Sequence, residues 1–162
     1  MANQQSMCTS FMGQLLSAGH NFNTTNVART VNTVDNFKAA LYLATATINA
    51  ATTAYTATGE VTSTNYAAGG IAVTNATAPI ATNSTPSVGV AYWTPSASLV
   101  YGTVGLPVTL TSFDTVLIYN SSQANAAVSV HTFGTQTVTS GVFTLTMPAN
   151  GTTTALLRLA TS

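Results

Sequence analysis

The sequence predicts a mainly β protein: an antiparallel β-sandwich, jelly-roll-like, with a short N-terminal α-helix. Short stretches of alternating apolar and polar residues, separated by turn signals, point to strands of five to eight residues. A high threonine content points the same way, because a branched Cβ suits a pleated strand and a hydroxyl keeps an outer face wet without charge. With 162 residues the chain is long enough for one domain around a single core. It reads as an N-terminal helix and arm over residues 1–25 and a sandwich domain over residues 26–162.

The helix comes first. Cys8, Phe11, Met12, Leu15 and Leu16 follow the i, i+3, i+4, i+7, i+8 spacing of a helical stripe, with Thr9, Ser10, Gln14 and Ser17 opposite. Ser6 is a candidate N-cap and Gly19 a candidate stop. So short a helix is marginal alone in water and must lay its stripe on something, either its own domain or a second subunit. Phe11, Met12, Leu15 and Leu16 are therefore the candidate interface residues.

A polar link, "HNFNTTNVARTVNT", leads into the strands. In "NFKAALYL", Phe37, Ala39, Leu41 and Leu43 face one way and Lys38, Ala40 and Tyr42 the other, the pattern of a half-buried strand. "GVAYW" and "SLVYGTV" read as strands, and "TVLIYN" is apolar enough to be central and covered on both faces. "AAVSVHTF", "VFTLTM" and "TALLRLA" complete the set, with turn signals at "NSSQAN", "TSG" and "PANG". Residues 44–86 are less regular. They are expected to hold a helical turn around "INAATTAY" and an edge strand or two around "IAV".

Charge is what this chain lacks. Charged residues are 4% of it, where an ordinary soluble domain has roughly 25%. They are Arg29, Asp35, Lys38, Glu60, Asp114 and Arg158, and the formal net charge is zero. With 46% hydrophobic residues the chain falls outside the composition of disordered segments. Three scattered bases cannot neutralise a run of phosphates, so no nucleic acid is expected as a partner. There is no basic amphipathic helix and no run of 18 apolar residues, so no membrane association is expected. "MANQQSMCTS" lacks the form of a secretory signal, and a lone Cys8 suits a reducing compartment, so synthesis in a cytoplasm is expected. On that route the sequons at Asn75 and Asn150 are composition only.

The reagents of catalysis are sparse. Cys8, His20 or His131, and Asp114 are the raw material for a nucleophilic triad, but Cys8 lies on the apolar stripe and His131 alternates along a strand. Asp35, Glu60 and Asp114 form no recognisable carboxylate pair. No CxxC or HExxH spacing offers a metal site, and "AAGG" lacks the lysine of a phosphate loop. No catalytic residue, metal or cofactor is expected, and the protein reads as a non-enzyme. Glu60, the only glutamate, reads as a structural tie for its irregular segment, accepting from backbone N–H groups of the turn or from Arg29 or Arg158.

"DNFKAALYLATATINAATTAYTATGEVTSTNYAAGG", "VLIYNSSQANAAVSVHTFG" and "FTLTMPANGTTTALLRLA" together resemble small virion structural proteins encoded beside the capsid genes of tailed bacteriophages. The likeness rests on an "FKxALY" strand, a "TGEVxxxxYxAGG" segment, an "IYN" strand and an "HTFG"-like strand. A leading "SFxxxLLxxxHNF" segment adds Ser10, Phe11, Leu15, Leu16, His20, Asn21 and Phe22. The resemblance implies a sandwich that decorates or cements the head, or alternatively a tail or head-fibre component. The expected partners are then the major capsid protein and copies of the chain itself, as a dimer or trimer, on the capsid surface. Zero net charge agrees, because a surface so poorly protected against association is suited to being covered by neighbours.

Overall fold

The computed structural model describes residues 3, 5–7, 20, 22, 34–74, 78–85 and 88–160, with the backbone alone at residues 6, 7, 83–85 and 88. It is mainly β, every strand pairing is antiparallel, and no α-helix occurs among the described residues. Residues 8–19, and with them the expected helix and Phe11, Met12, Leu15 and Leu16, lie outside the described set. Ser6, read from sequence as a helix cap, instead belongs to strand β1 (Ser6–Met7).

The largest sheet holds β1, β8 (Ala126–Gly141), β7 (Val108–Asn120), β2 (Phe37–Leu43) and β3 (Ile71–Ala72), in that spatial order. A second sheet orders β10 (Leu157–Ala160), β5 (Val88–Trp93) and β4 (Ile80–Thr85). β6 (Leu99–Tyr101) pairs with β9 (Phe143–Leu145). The β7–β8 hairpin closes through residues 121–125, where Ala124 and Asn125 take φ of 49° and 56°. Farther along, register shifts accompany left-handed Ser112 and Ser140, so the hairpin is bulged.

β2 is more deeply covered than its alternation suggested. Ala39, Ala40, Leu41 and Tyr42 are all fully buried, so both faces are packed and the strand is central. Its two sides are unlike each other. One is the β7 ladder, running from Phe37↔Asn120 to Leu43↔Phe113. The other is sealed by the irregular segment 59–73: Leu43 N–H donates to Gly59 O, Val61 N–H to Leu41 O, and Val73 N–H to Phe37 O, with β3 pairing at Lys38 and Ala39.

Other expectations needed revision for local reasons. The helical turn expected near "INAATTAY" is a single tight turn, Thr52 N–H to Asn49 O. Side chains compete for the backbone there: Asn49 Oδ1 accepts from Ala51 N–H and Thr52 Oγ1 from Asn49 N–H. "SLVYGTV" ends as a strand at Tyr101 because Gly102 takes φ 81°, and a Cβ there would sit 3.1 Å from both Gly141 O and Val108 N. The "TSG" signal falls at the end of β8, which runs to Gly141, and Val142 separates it from β9.

The core runs between these sheets. Phe113 meets Phe143 edge to face at 4.8 Å, and Phe37 stacks on Phe22 at 4.4 Å with Trp93 of β5 against them. Phe22 and His20 thus bring the polar link into the interior, at 8% and 7% exposure. Asn3 pins the other end of the arm, donating to Leu43 O and Asp114 Oδ1 and accepting from Ile48 N–H.

Candidate functional site

Glu60 sits at the hub of the strip that seals β2. The carboxylate is 8% exposed and accepts three hydrogen bonds: Tyr66 Oη and Gly69 N–H at 2.8 Å each on Oε1, and Tyr55 Oη at 2.6 Å on Oε2. Charge-assisted bonds of this kind are the strong ones. Tyrosines carry the tie outward. Tyr66 Oη also accepts from Leu41 N–H of β2, Tyr119 Oη donates to Gly69 O, and Tyr42 Oη donates to Thr56 O. Tyr55 stacks on Tyr119 at 4.8 Å, and Tyr66 on Tyr101, whose hydroxyl donates to Ala39 O. Gly70, at φ 74°, lies so close to β2 that a Cβ would fall 1.8 Å from Ala39 O.

The electrostatics of this hub oppose catalysis by tyrosine. Burial, then the Glu60 hydrogen bond, pushes the Tyr55 hydroxyl up to about 12. Burial also raises Tyr42, Tyr66, Tyr101 and Tyr119, with the negative field of Glu60 adding to each. These phenols are held as donors, the reverse of what a tyrosinate nucleophile needs. Sequence reading foresaw a backbone donor for Glu60 but not the tyrosines. Arg158 is not a partner; its Nε donates to Thr152 O at 2.6 Å.

Of the remaining ionisable groups, His20 and Asp35 share Asn120, while Asp114 and His131 bond elsewhere. Asn120 Nδ2 bridges His20 Nδ1 at 3.0 Å and Asp35 Oδ2 at 2.8 Å, with all three residues buried. Burial lowers the His20 pKa and the Asp35 charge partly restores it. Asp114 accepts from Thr115 Oγ1 and Asn3. His131 pairs Nε2 with Ser129 Oγ at 2.9 Å, and burial brings its pKa down to about 4. His131 borders a cavity of about 90 Å³ otherwise walled chiefly by apolar side chains, among them Val116, Ile118, Leu145 and Leu156. Thus the members of the sequence-level triad that are described bond to different partners, Cys8 lies outside the described residues, and no cluster of metal-ligating residues occurs among those described.

What the structure adds is a surface. Thr103 and Leu106 exchange reciprocal N–H to C=O bonds of 3.0 and 3.1 Å, closing a tight turn with Val104 and Gly105 at its tip. Val104 is 97% exposed and Leu106 61%. The turn is braced from below, with Asn65 Nδ2 donating to Pro107 O and Thr109 N–H to Ser63 Oγ. Val100 on β6 and Val142, between β8 and β9, are also exposed, next to the paired Tyr101 and Phe143. No charged residue lies between Glu60 and Asp114 or between Asp114 and Arg158, so this surface has no charge of its own. β8, 16 residues long, has β1 on its outer edge only at Ser129 and Val130 among the described residues. The sequence signal for the turn was present in "YGTVGLP", but read as strand it hid the tip. Known family models, curated proteins and solved structures give no match to this chain.

Proposed function

We propose that the chain is a virion structural protein of a tailed bacteriophage: a decoration or cement protein that binds across seams between capsid subunits and stabilises the head. It would be made in the cytoplasm of the host bacterium and carried on the capsid surface as a homo-oligomer. The three antiparallel sheets are read as an antiparallel, jelly-roll-like sandwich. The observation that carries the proposal is the braced turn bearing Val104 and Leu106 on a surface without charge, which is costly for a free monomer and favourable for one covered by neighbours. The sequence resemblance to phage virion proteins supports the same reading. A protein that binds only the assembled shell stabilises it by mass action, and apolar area buried at each of many copies adds up.

The test is to add purified protein to expanded capsids and measure co-sedimentation and resistance to heat. Saturation at hundreds of copies, with affinity little changed by salt, is expected of apolar docking. A steep salt dependence, or no binding, refutes it. Copy number also separates the shell clamp from the alternative of a tail or head-fibre component, which is present in a few or a few dozen copies.

A further inference from the structure

We infer that Asn150–Gly151 is a self-modifying site, at which the folded chain converts Asn150 to aspartate and isoaspartate with no enzyme or cofactor. Asn150 Oδ1 is the one enclosed side-chain oxygen or nitrogen among the described residues that lacks a hydrogen-bond partner. An orphaned buried polar atom requires a physical explanation. Here the consequence is chemical: no hydrogen bond to Oδ1 holds the carboxamide away from the backbone. The nucleophile is equally unrestrained, because the Gly151 N–H makes no hydrogen bond among the described residues, whereas Gly151 O accepts from Thr154 N–H and Ala155 N–H. The segment 146–156 lies outside any strand, so no ladder fixes the Asn150 dihedrals.

Glycine matters at the second position because its nitrogen can be approached without a side chain in the way. A Cβ on Gly151 would lie 2.9 Å from Thr154 Oγ1, whose hydroxyl donates to Ala149 O across the same loop. Asn120, which precedes Ser121, shows the contrast. Its Nδ2 is bonded to His20 and Asp35 and its Oδ1 accepts from Ser122 N–H, so its amide is locked.

The steps balance. The Gly151 nitrogen loses its proton and attacks Asn150 Cγ, forming a C–N bond and a five-membered succinimide. The Cγ–Nδ2 bond breaks and ammonia leaves with a proton from water. Water then adds to either ring carbonyl and opens the ring, giving aspartate or isoaspartate, so the net change is amide plus water to acid plus ammonia. The product is a fourth acid against three bases, shifting the chain from zero net charge to one negative charge. That charge arises in the loop where the Arg158 guanidinium already reaches back to Thr152 O.

The experiment compares the intact folded chain with the same chain in concentrated urea, at mildly alkaline pH and body temperature. Peptide mapping and isoaspartyl assay follow Asn150, and hydroxylamine cleavage after Asn150 reports the succinimide. The expected result is conversion in the folded chain within about threefold of the urea rate, at Asn150 before any other asparagine. Gly151→Val is expected to slow it tenfold or more and to lower the melting temperature, because its Cβ displaces Thr154 Oγ1. Protection of Asn150 by tenfold or more in the folded state overturns the inference, and that comparison stands even if the variant fails to fold. Faster conversion at any other asparagine overturns it as well.

Discussion

Glu60→Gln removes the charge and leaves the shape, which isolates the carboxylate's part in sealing β2. Each of the three bonds to Glu60 is to a charged acceptor, a class worth about 1.5–3 kcal/mol against about 1 kcal/mol for a neutral pair. Glutamine keeps one oxygen for Tyr66 and Gly69, weakening each bond by about 1 kcal/mol, and sets an NH2 against the Tyr55 hydroxyl at a cost of about 2 kcal/mol. Against this, a neutral amide is spared part of the desolvation that a buried carboxylate suffers, so the net loss is set at about 2 kcal/mol. For a domain of this size that is a fall of about 4–8 °C in melting temperature. Calorimetry and urea titration at pH 7 should agree on it, with an unchanged m-value. Because segment 59–73 covers one side of β2, the variant should also aggregate sooner on heating. A melting temperature within about 1 °C of the parent refutes the assignment of Glu60 as the structural tie.

Other outcomes follow from the same geometry. Gly70→Ala should cost more than about 3 kcal/mol and leave little soluble protein, because φ is 74° and the new Cβ would overlap Ala39 O; soluble expression and melting temperature check it. His131 has a folded pKa near 4 against 6.5 unfolded, so the unfolded chain takes up the proton first as pH falls. Stability from this residue is complete above pH 6.5 and declines toward pH 4, by about 2 kcal/mol between pH 7 and pH 5. His20 shifts in the same direction. His131→Leu should flatten that part of the curve, as read by urea titration at each pH. Val104→Asp with Leu106→Lys should leave the melting temperature within about 2 °C, since both side chains are exposed, yet abolish capsid co-sedimentation.

The strands were legible because their signal is local. Period-two alternation located β2 and the first half of β8, "GVAYW" fell on β5, and the apolar run of "TVLIYN" marked the second half of β7 and correctly indicated a strand covered on both faces. The covering of β2 was not legible, because it comes from residues 59–73, held in part by a tyrosine hydroxyl reaching across tens of residues, Tyr119 to Gly69. Nothing in the spacing of the tyrosines marks them as partners of one carboxylate. Gly59, Gly69 and Gly70 did flag the turns, and all three take positive φ. The exposed Val104 was missed because Val100 to Val104 reads as one strand until Gly102 turns the chain.

The order of the strands has a kinetic side. β2 lies near the start of the described sheet, yet its ladder partner begins at Val108, and Phe37 meets Asn120 across 83 residues of chain. A ribosome must therefore deliver most of the polypeptide before β2 finds its place, while the β7–β8 hairpin can zip locally as soon as it emerges. Until then the newborn N-terminal half holds a greasy segment with Lys38 as its lone charge, and has to be shielded or completed quickly. Late closure of its central strand makes translation speed and chaperone supply the hazards this molecule faces before it is ever a folded object.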